Sequence, residues 1–344
     1  MKTHPPSRRT AAWNLLFLLC AAFLYAPWAF AGNSPRESLS VVASILPIHS
    51  LVSGVMRGIA SPSLIVKGYG SPHTYRMRPS DATQLHDADL VFWIGDTLET
   101  FLRKPLASLP KTTRVIPLLK TPGLTLLKNR KGGTWNNHAA DPLGSDLHSH
   151  FHAPDNPASQ ALGYNPHIWL DPGNAHRLAR AIAQHLREID PAYGPQYEAN
   201  ADTLSKRIHA LDKRLHRWLS PLRGAPYLVF HDAFPYLETR YGLHAAGSIT
   251  ANPAGIPGAR RIANLQAAIK RLGIRCVFRE PQFGLKLIET VLEDADVNIG
   301  VLDPLGMNIP PGPDHWFLMM ADHAEVMRDC LSSGAPSLEM SPDR

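Results

Sequence analysis

Residues 63–95, SLIVKGYGSPHTYRMRPSDATQLHDADLVFWIG, decide the fold. They read as a strand (SLIVKG), a loop punctuated by glycine and proline, a helix (PSDATQLHDA) with Ser80 as N-cap, and a second strand (DLVFWIG). Both strand runs are apolar without alternation, the pattern of parallel strands covered on both faces. The loop carries His73, beyond the carboxyl end of a strand, where open α/β sheets place their functional groups.

The same alternation extends outward. Residues 40–48 (SVVASILPI) read as a strand and 49–58 as a helix; TLETFLRKPLASL reads as a helix and TRVIPLL as a strand. After HIWLDP comes a helix, NAHRLARAIAQHLREID. A longer one follows from about Tyr193 to Leu219, with Leu204, Ile208, Leu211, Leu215 and Trp218 forming one stripe. At 1.5 Å per residue it reaches about 40 Å. βα units then resume through PYLVF, LHAAGSI, IRCVF and VNIGVLD, and a closing helix starts near His315. Phe92, Trp93 and Phe278 fall in strand runs and are expected in the core.

The expected class is α/β, two Rossmann-like βα lobes joined by one long backbone helix. The expected divisions are an N-terminal lobe at 36–189, a linking helix at 190–222, a C-terminal lobe at 223–335 and a tail at 336–344. Residues 128–164 interrupt the pattern with glycine, proline, asparagine and four histidines, and a loop this long is usually functional or disordered.

The first 31 residues read as a signal peptide cleaved after Ala31. Lys2, Arg8 and Arg9 precede an apolar run from Trp13 to Trp28, with small residues at Ala29 and Ala31. The run falls short of the roughly 18 to 20 apolar residues of a membrane span. Cleavage would remove three positive charges and no acid, lowering the formal charge from +6 to +3. Such a near-balanced surface gives no electrostatic case for nucleic acid. Cys20 leaves with the peptide, and Cys276 and Cys330 remain. In an oxidising compartment an even pair reads as a disulfide, the alternative being two buried thiols.

Three residues join His73, and three of the resulting four stand at the carboxyl end of a strand. His167 follows a proline in YNPHIWLDP, His231 follows the strand PYLVF, and Asp303 ends VNIGVLD. Two come from each expected lobe, so facing lobes would gather them across a cleft. Neutral imidazoles bind zinc well, and three with one oxygen complete a tetrahedron. The prolines ahead of His73 and His167 limit the backbone freedom lost on binding. A second group, His138, His148, His150 and His152, stands in the loose segment HAADPLGSDLHSHFH and suits weak auxiliary metal contact. His176, His185, His209 and His216 read as solvated helix faces, and His315 and His323 are expected away from the cleft. Phosphate-binding and hydrolase signatures such as GxxxxGK[ST], HExxH and GxSxG are absent.

Taken together, VVASILPIHSLV, SPHTYRMRPSDATQLHDADLVFWIG, NPHIWLDP, ALDKRL, VFHDAFPYLETRYGL, REPQF and GVLDPLG resemble the zinc-specific periplasmic binding proteins of ABC importers, the ZnuA type. The resemblance implies two lobes on a rigid helical backbone, a small closing motion on Zn2+ binding, and a monomer that delivers zinc to a membrane permease driven by a cytoplasmic ATPase. It assigns the ligand role to His73, His167 and His231, with Asp303 or water fourth, and supports pairing of Cys276 with Cys330. Pro72 stands where some relatives carry a glutamate, removing that oxygen.

Two rivals share these residues. A manganese carrier or adhesin would have the same fold, but manganese suits sites richer in oxygen. A zinc hydrolase would need a general base near the bound water. Asp303 or Glu280 could serve, and nothing in the sequence marks either, so a non-enzymatic carrier is the expectation.

Overall fold

The computed structural model describes residues 39–130, 163–250, 253, 255, 257–293 and 295–332. The expected signal peptide, the auxiliary histidines and the tail lie outside them. Two parallel four-stranded sheets form the frame. The first holds β1 (Val41–Ala43), β2 (Ser63–Leu64), β3 (Leu90–Trp93) and β4 (Arg114–Pro117) in the order β2-β1-β3-β4. The second holds β5 (Tyr227–Val229), β6 (Ala245–Ser248), β7 (Cys276–Arg279) and β8 (Asn298–Val301) in the order β6-β5-β7-β8. Each sheet thus steps outward once and then crosses back, and the crevice at such a reversal is where ligands bind.

The strands are shorter than their apolar runs. In SVVASILPI only three residues pair, and α1 (Leu46–Val55) starts inside the run, with Pro47 in its first turn where no backbone donor is needed. The next helix, α2 (Pro79–His86), starts one residue ahead of Ser80, so Ser80 is not its cap. Asp81 takes over, its Oδ2 accepting from Arg78 N at 2.9 Å. TLETFLRKPLASL breaks into a 3-10 turn (Thr100–Leu102) and the short α3 (Arg103–Ala107). Pro105 leaves it no room to extend as one regular helix.

Two helices then run against each other, α4 (Pro172–Ile189) and the 26-residue α5 (Gly194–Leu219). On α5, Leu204, Ile208, Leu211 and Leu215 are buried, and Trp218 is half-buried under Arg214. The second sheet is lined by α6 (Pro235–Tyr241), α7 (Ala259–Leu272) and α8 (Lys286–Val291). The closing helix α9 (His315–Ser332) packs on α5, α1 and β8. One continuous apolar core runs from Val41 to Cys330, while a smaller one under α7 and α8 fills the outer face of the second sheet. Phe92 and Phe278 are fully buried and Trp93 nearly so, as expected. Cys276 and Cys330 form a disulfide with Cα atoms 5.8 Å apart, tying the start of β7 to the end of α9. No helix among the described residues is long and apolar enough to cross a membrane.

Candidate metal centre

His73 lies on the loop between β2 and α2. Gly68 takes a left-handed conformation at φ +62°, and a Cβ on Gly70 would meet the Tyr75 ring at 2.7 Å, so both glycines of GYGSPH are required by the path. Tyr75 pins the loop, donating to Ile65 O at 3.1 Å and to Asp81 Oδ2 at 3.0 Å.

His167 precedes a 3-10 turn (Ile168–Leu170) and α4. The DP pair fixes that start: Asp171 caps α4, accepting from Gly173 N at 3.0 Å and Asn174 N at 3.2 Å, and Pro172 occupies the first position. Trp169 locks the turn to the other sheet by donating through Nε1 to Pro304 O at 2.8 Å. Trp316 of α9 donates in turn to Trp169 O at 2.9 Å. His231 follows β5, at the reversal point of the second sheet.

The three rings meet. Centroids lie 5.4 Å apart for His73 and His167, 5.3 Å for His73 and His231, and 5.0 Å for His167 and His231. One ligand nitrogen from each lies within 4.8 Å of the others. The cavity they border measures about 10 Å³, close to the least that holds one water-sized occupant.

Hydrogen bonds settle which nitrogens face inward. Asn165 Oδ1 accepts from both His167 N (3.0 Å) and His167 Nδ1 (2.9 Å). Its Nδ2 donates to Asp232 O at 2.7 Å, so the amide cannot be reversed and His167 carries its proton on Nδ1. Glu280 Oε1 accepts from His231 Nδ1 at 2.5 Å and from His231 N at 3.3 Å. The Nε2 atoms of His167 and His231 therefore both present lone pairs, yet lie 3.2 Å apart. Such a pair either shares a proton or is bridged by a cation. Two nitrogens on a tetrahedral zinc at 2.0 to 2.1 Å would be about 3.3 Å apart. His73 Nε2 is likewise buried, with no hydrogen-bond partner among the described residues. The donor set fits a divalent metal ion.

Electrostatics agree. Burial, reinforced by the neighbouring rings, lowers His73 to about 3 and His167 well below the ordinary imidazole range, keeping both neutral as ligands must be. Burial raises the Glu280 carboxyl, and the adjacent His231 opposes the rise.

Asp303, expected near the ion as an oxygen donor, is not in the group of converging donor atoms. Its Oδ1 accepts from Leu305 N (2.9 Å) and Gln282 Nε2 (2.7 Å), and its Oδ2 from Met307 N (2.6 Å), so the carboxylate is turned to its own loop. His315 and His323 stand behind it, facing Leu305 O at 2.8 Å and Asp303 O at 2.7 Å, away from the cavity. His176 and His185, expected on solvated faces, are half-buried, and His176 packs on the exposed His209 with centroids 5.0 Å apart. The sequence reading missed Asn165 and Gln282, and it weighed Glu280 only as a base. Their signal was position: Asn165 two residues before a ligand, the other two within REPQF.

A family model described as the zinc-uptake complex component A, periplasmic, matches residues 41–330. The chain is 42% identical over 328 residues to the high-affinity zinc uptake system protein ZnuA of Brucella suis biovar 1 (strain 1330), covering 91% of this chain and 97% of that protein. It is 33% identical over 322 residues to the protein of the same name from Yersinia pestis, covering 93% and 98%. A crystal structure of ZnuA superimposes with a TM-score of 0.68 at 23% identity, covering 86% of this chain and 99% of that one, a likeness of fold.

Proposed function

The chain belongs to the family of the periplasmic zinc-uptake complex component A, and on that premise we propose that it captures Zn2+ outside the cytoplasm and hands it to an ABC-type importer. His73, His167 and His231 hold the ion through Nε2, and a water completes the shell. The observation that carries this reading is the convergence of one nitrogen from each of the three histidines within 4.8 Å, with His73 Nε2 buried and without a hydrogen-bond partner among the described residues. Three neutral nitrogens favour zinc over manganese. Among the described residues no group is placed as a general base for a bound water, since Glu280 is engaged by His231 and Asp303 by Leu305, Met307 and Gln282, which supports a carrier over a hydrolase.

The rest of the reading draws on the sequence together with the family. The protein acts as a monomer in the periplasm after cleavage behind Ala31, and its partners are a membrane permease and that permease's cytoplasmic ATPase. The segment bearing His138, His148, His150 and His152 gathers zinc near the site. Its supports are the bridge between Lys128 and Tyr164, and Arg130, which pairs with Asp232 beside His231.

Metal analysis and zinc titration of the purified chain, run beside an ester and peptide hydrolysis screen, test the proposal. One tightly held zinc per chain without turnover is expected, and hydrolysis above background would overturn it. Deleting residues 138–152 should leave the tight site intact.

A further inference from the structure

One buried acceptor in the cavity wall is met by no donor among the described residues. Gln282 borders the cavity together with the three histidines. Its Nε2 donates to Asp303 Oδ1 at 2.7 Å and lies 2.8 Å from Met307 Sδ. Reversing the amide would set its oxygen against a carboxylate, so the orientation is fixed. The oxygen that remains, Oε1, is buried without a hydrogen-bond partner among the described residues. An amide oxygen left so usually awaits an unseen water or ion, because stranding it is unfavourable.

We propose that Gln282 Oε1 accepts a hydrogen bond from the water completing the shell of the ion held by His73, His167 and His231, and that Asp303 is the positioning residue that aims the amide. The inference rests on the zinc-capture reading and deepens it. It explains why Asp303 sits close to the site without offering an oxygen to it: two backbone amides and Gln282 Nε2 occupy its carboxylate. It also gives the site a neutral fourth side. A metal-bound water is polarised by the cation and becomes a strong donor, and an amide oxygen can accept from it without adding charge. Outer contacts of this kind typically account for 10- to 100-fold in metal affinity.

The test uses the full mature chain, zinc titration against a chromophoric chelator, and the visible spectrum of the Co2+-loaded protein. Gln282→Leu should weaken zinc binding about 10- to 100-fold and alter the cobalt bands, with one ion still bound per chain. Zinc affinity within twofold of native together with an unchanged cobalt spectrum in Gln282→Leu would overturn the proposal. If that variant does not fold, crystals of the native zinc-loaded protein decide. A metal-bound water within hydrogen-bond distance of Oε1 supports the assignment, and an Asp303 oxygen on the ion refutes it. A native chain that fails to bind zinc would instead defeat the underlying reading.

Discussion

Of the three imidazoles that meet in the cavity, two are clamped from behind and the third is carried by a loop. His167 and His231 are fixed through Nδ1 by Asn165 and Glu280, groups that are themselves buried. His73 belongs to a partly exposed loop that owes its path to Gly68, Gly70 and Tyr75. At the loop's outer end Tyr69 OH donates to Asn308 Oδ1 at 2.6 Å, reaching across to the segment after β8. The difference teaches that two of the three rings are held by buried partners, whereas the third depends on the path of its loop.

The largest expected effect tests whether that division is real. His167→Ala and His231→Ala should each weaken zinc binding about a thousandfold or more, roughly 4 kcal/mol, in a competitive titration. His73→Ala should also lose severely, but less than either. Equal losses for all three would break the comparison. Next comes the frame behind the rigid pair. Glu280 follows β7, whose first residue is stapled to α9. Replacing Cys276 and Cys330 by serine should lower unfolding stability by about 4 kcal/mol on the chain-entropy model for this separation of 54 residues. Denaturant unfolding checks it.

Smaller effects sharpen the picture. Glu280→Gln keeps an acceptor for His231 Nδ1 but removes the charge, and should weaken zinc about tenfold. Protons should act in the apo protein as follows. His73 and His167 are held neutral by burial below the ordinary imidazole value, so the unfolded chain binds protons first as the pH falls. Stability of the metal-free protein should therefore decline from about pH 6.5 downward, by about 1.4 kcal/mol per pH unit for each such ring, and be fully present above it. Melting curves with chelator at pH 7, 6 and 5 measure this. Zinc competition on these two rings accordingly begins at lower pH than on free imidazole. Last, Tyr69→Phe should release zinc about two- to fivefold faster with little change in melting temperature, since one exposed hydrogen bond is removed.

Parallel strands, the long helix and the three histidines could be read from the chain because each is written locally, as an apolar run, a stripe or a strand-end residue. What could not be read is set by contacts between distant residues. Asp303 stands at a strand end like His231, yet whether its oxygens face an ion or Leu305 and Met307 depends on the turn they close. Asn165 and Gln282 carry no charge and belong to no ligand pattern, and only the fixed direction of their amides gives them a role. Helix starts slipped for a similar reason, since Asp81 rather than Ser80 satisfies the first turn of α2.

The reach of α9 has a consequence for assembly. Trp316 is the roof over the turn that bears His167, donating to Trp169 O, and its own backbone N–H is taken by Ser50 Oγ. Residues made first therefore wait for residues made last. Until 315–332 have emerged, the carbonyl of Trp169 lacks its donor, and the turn that carries His167 is complete only in the finished polypeptide.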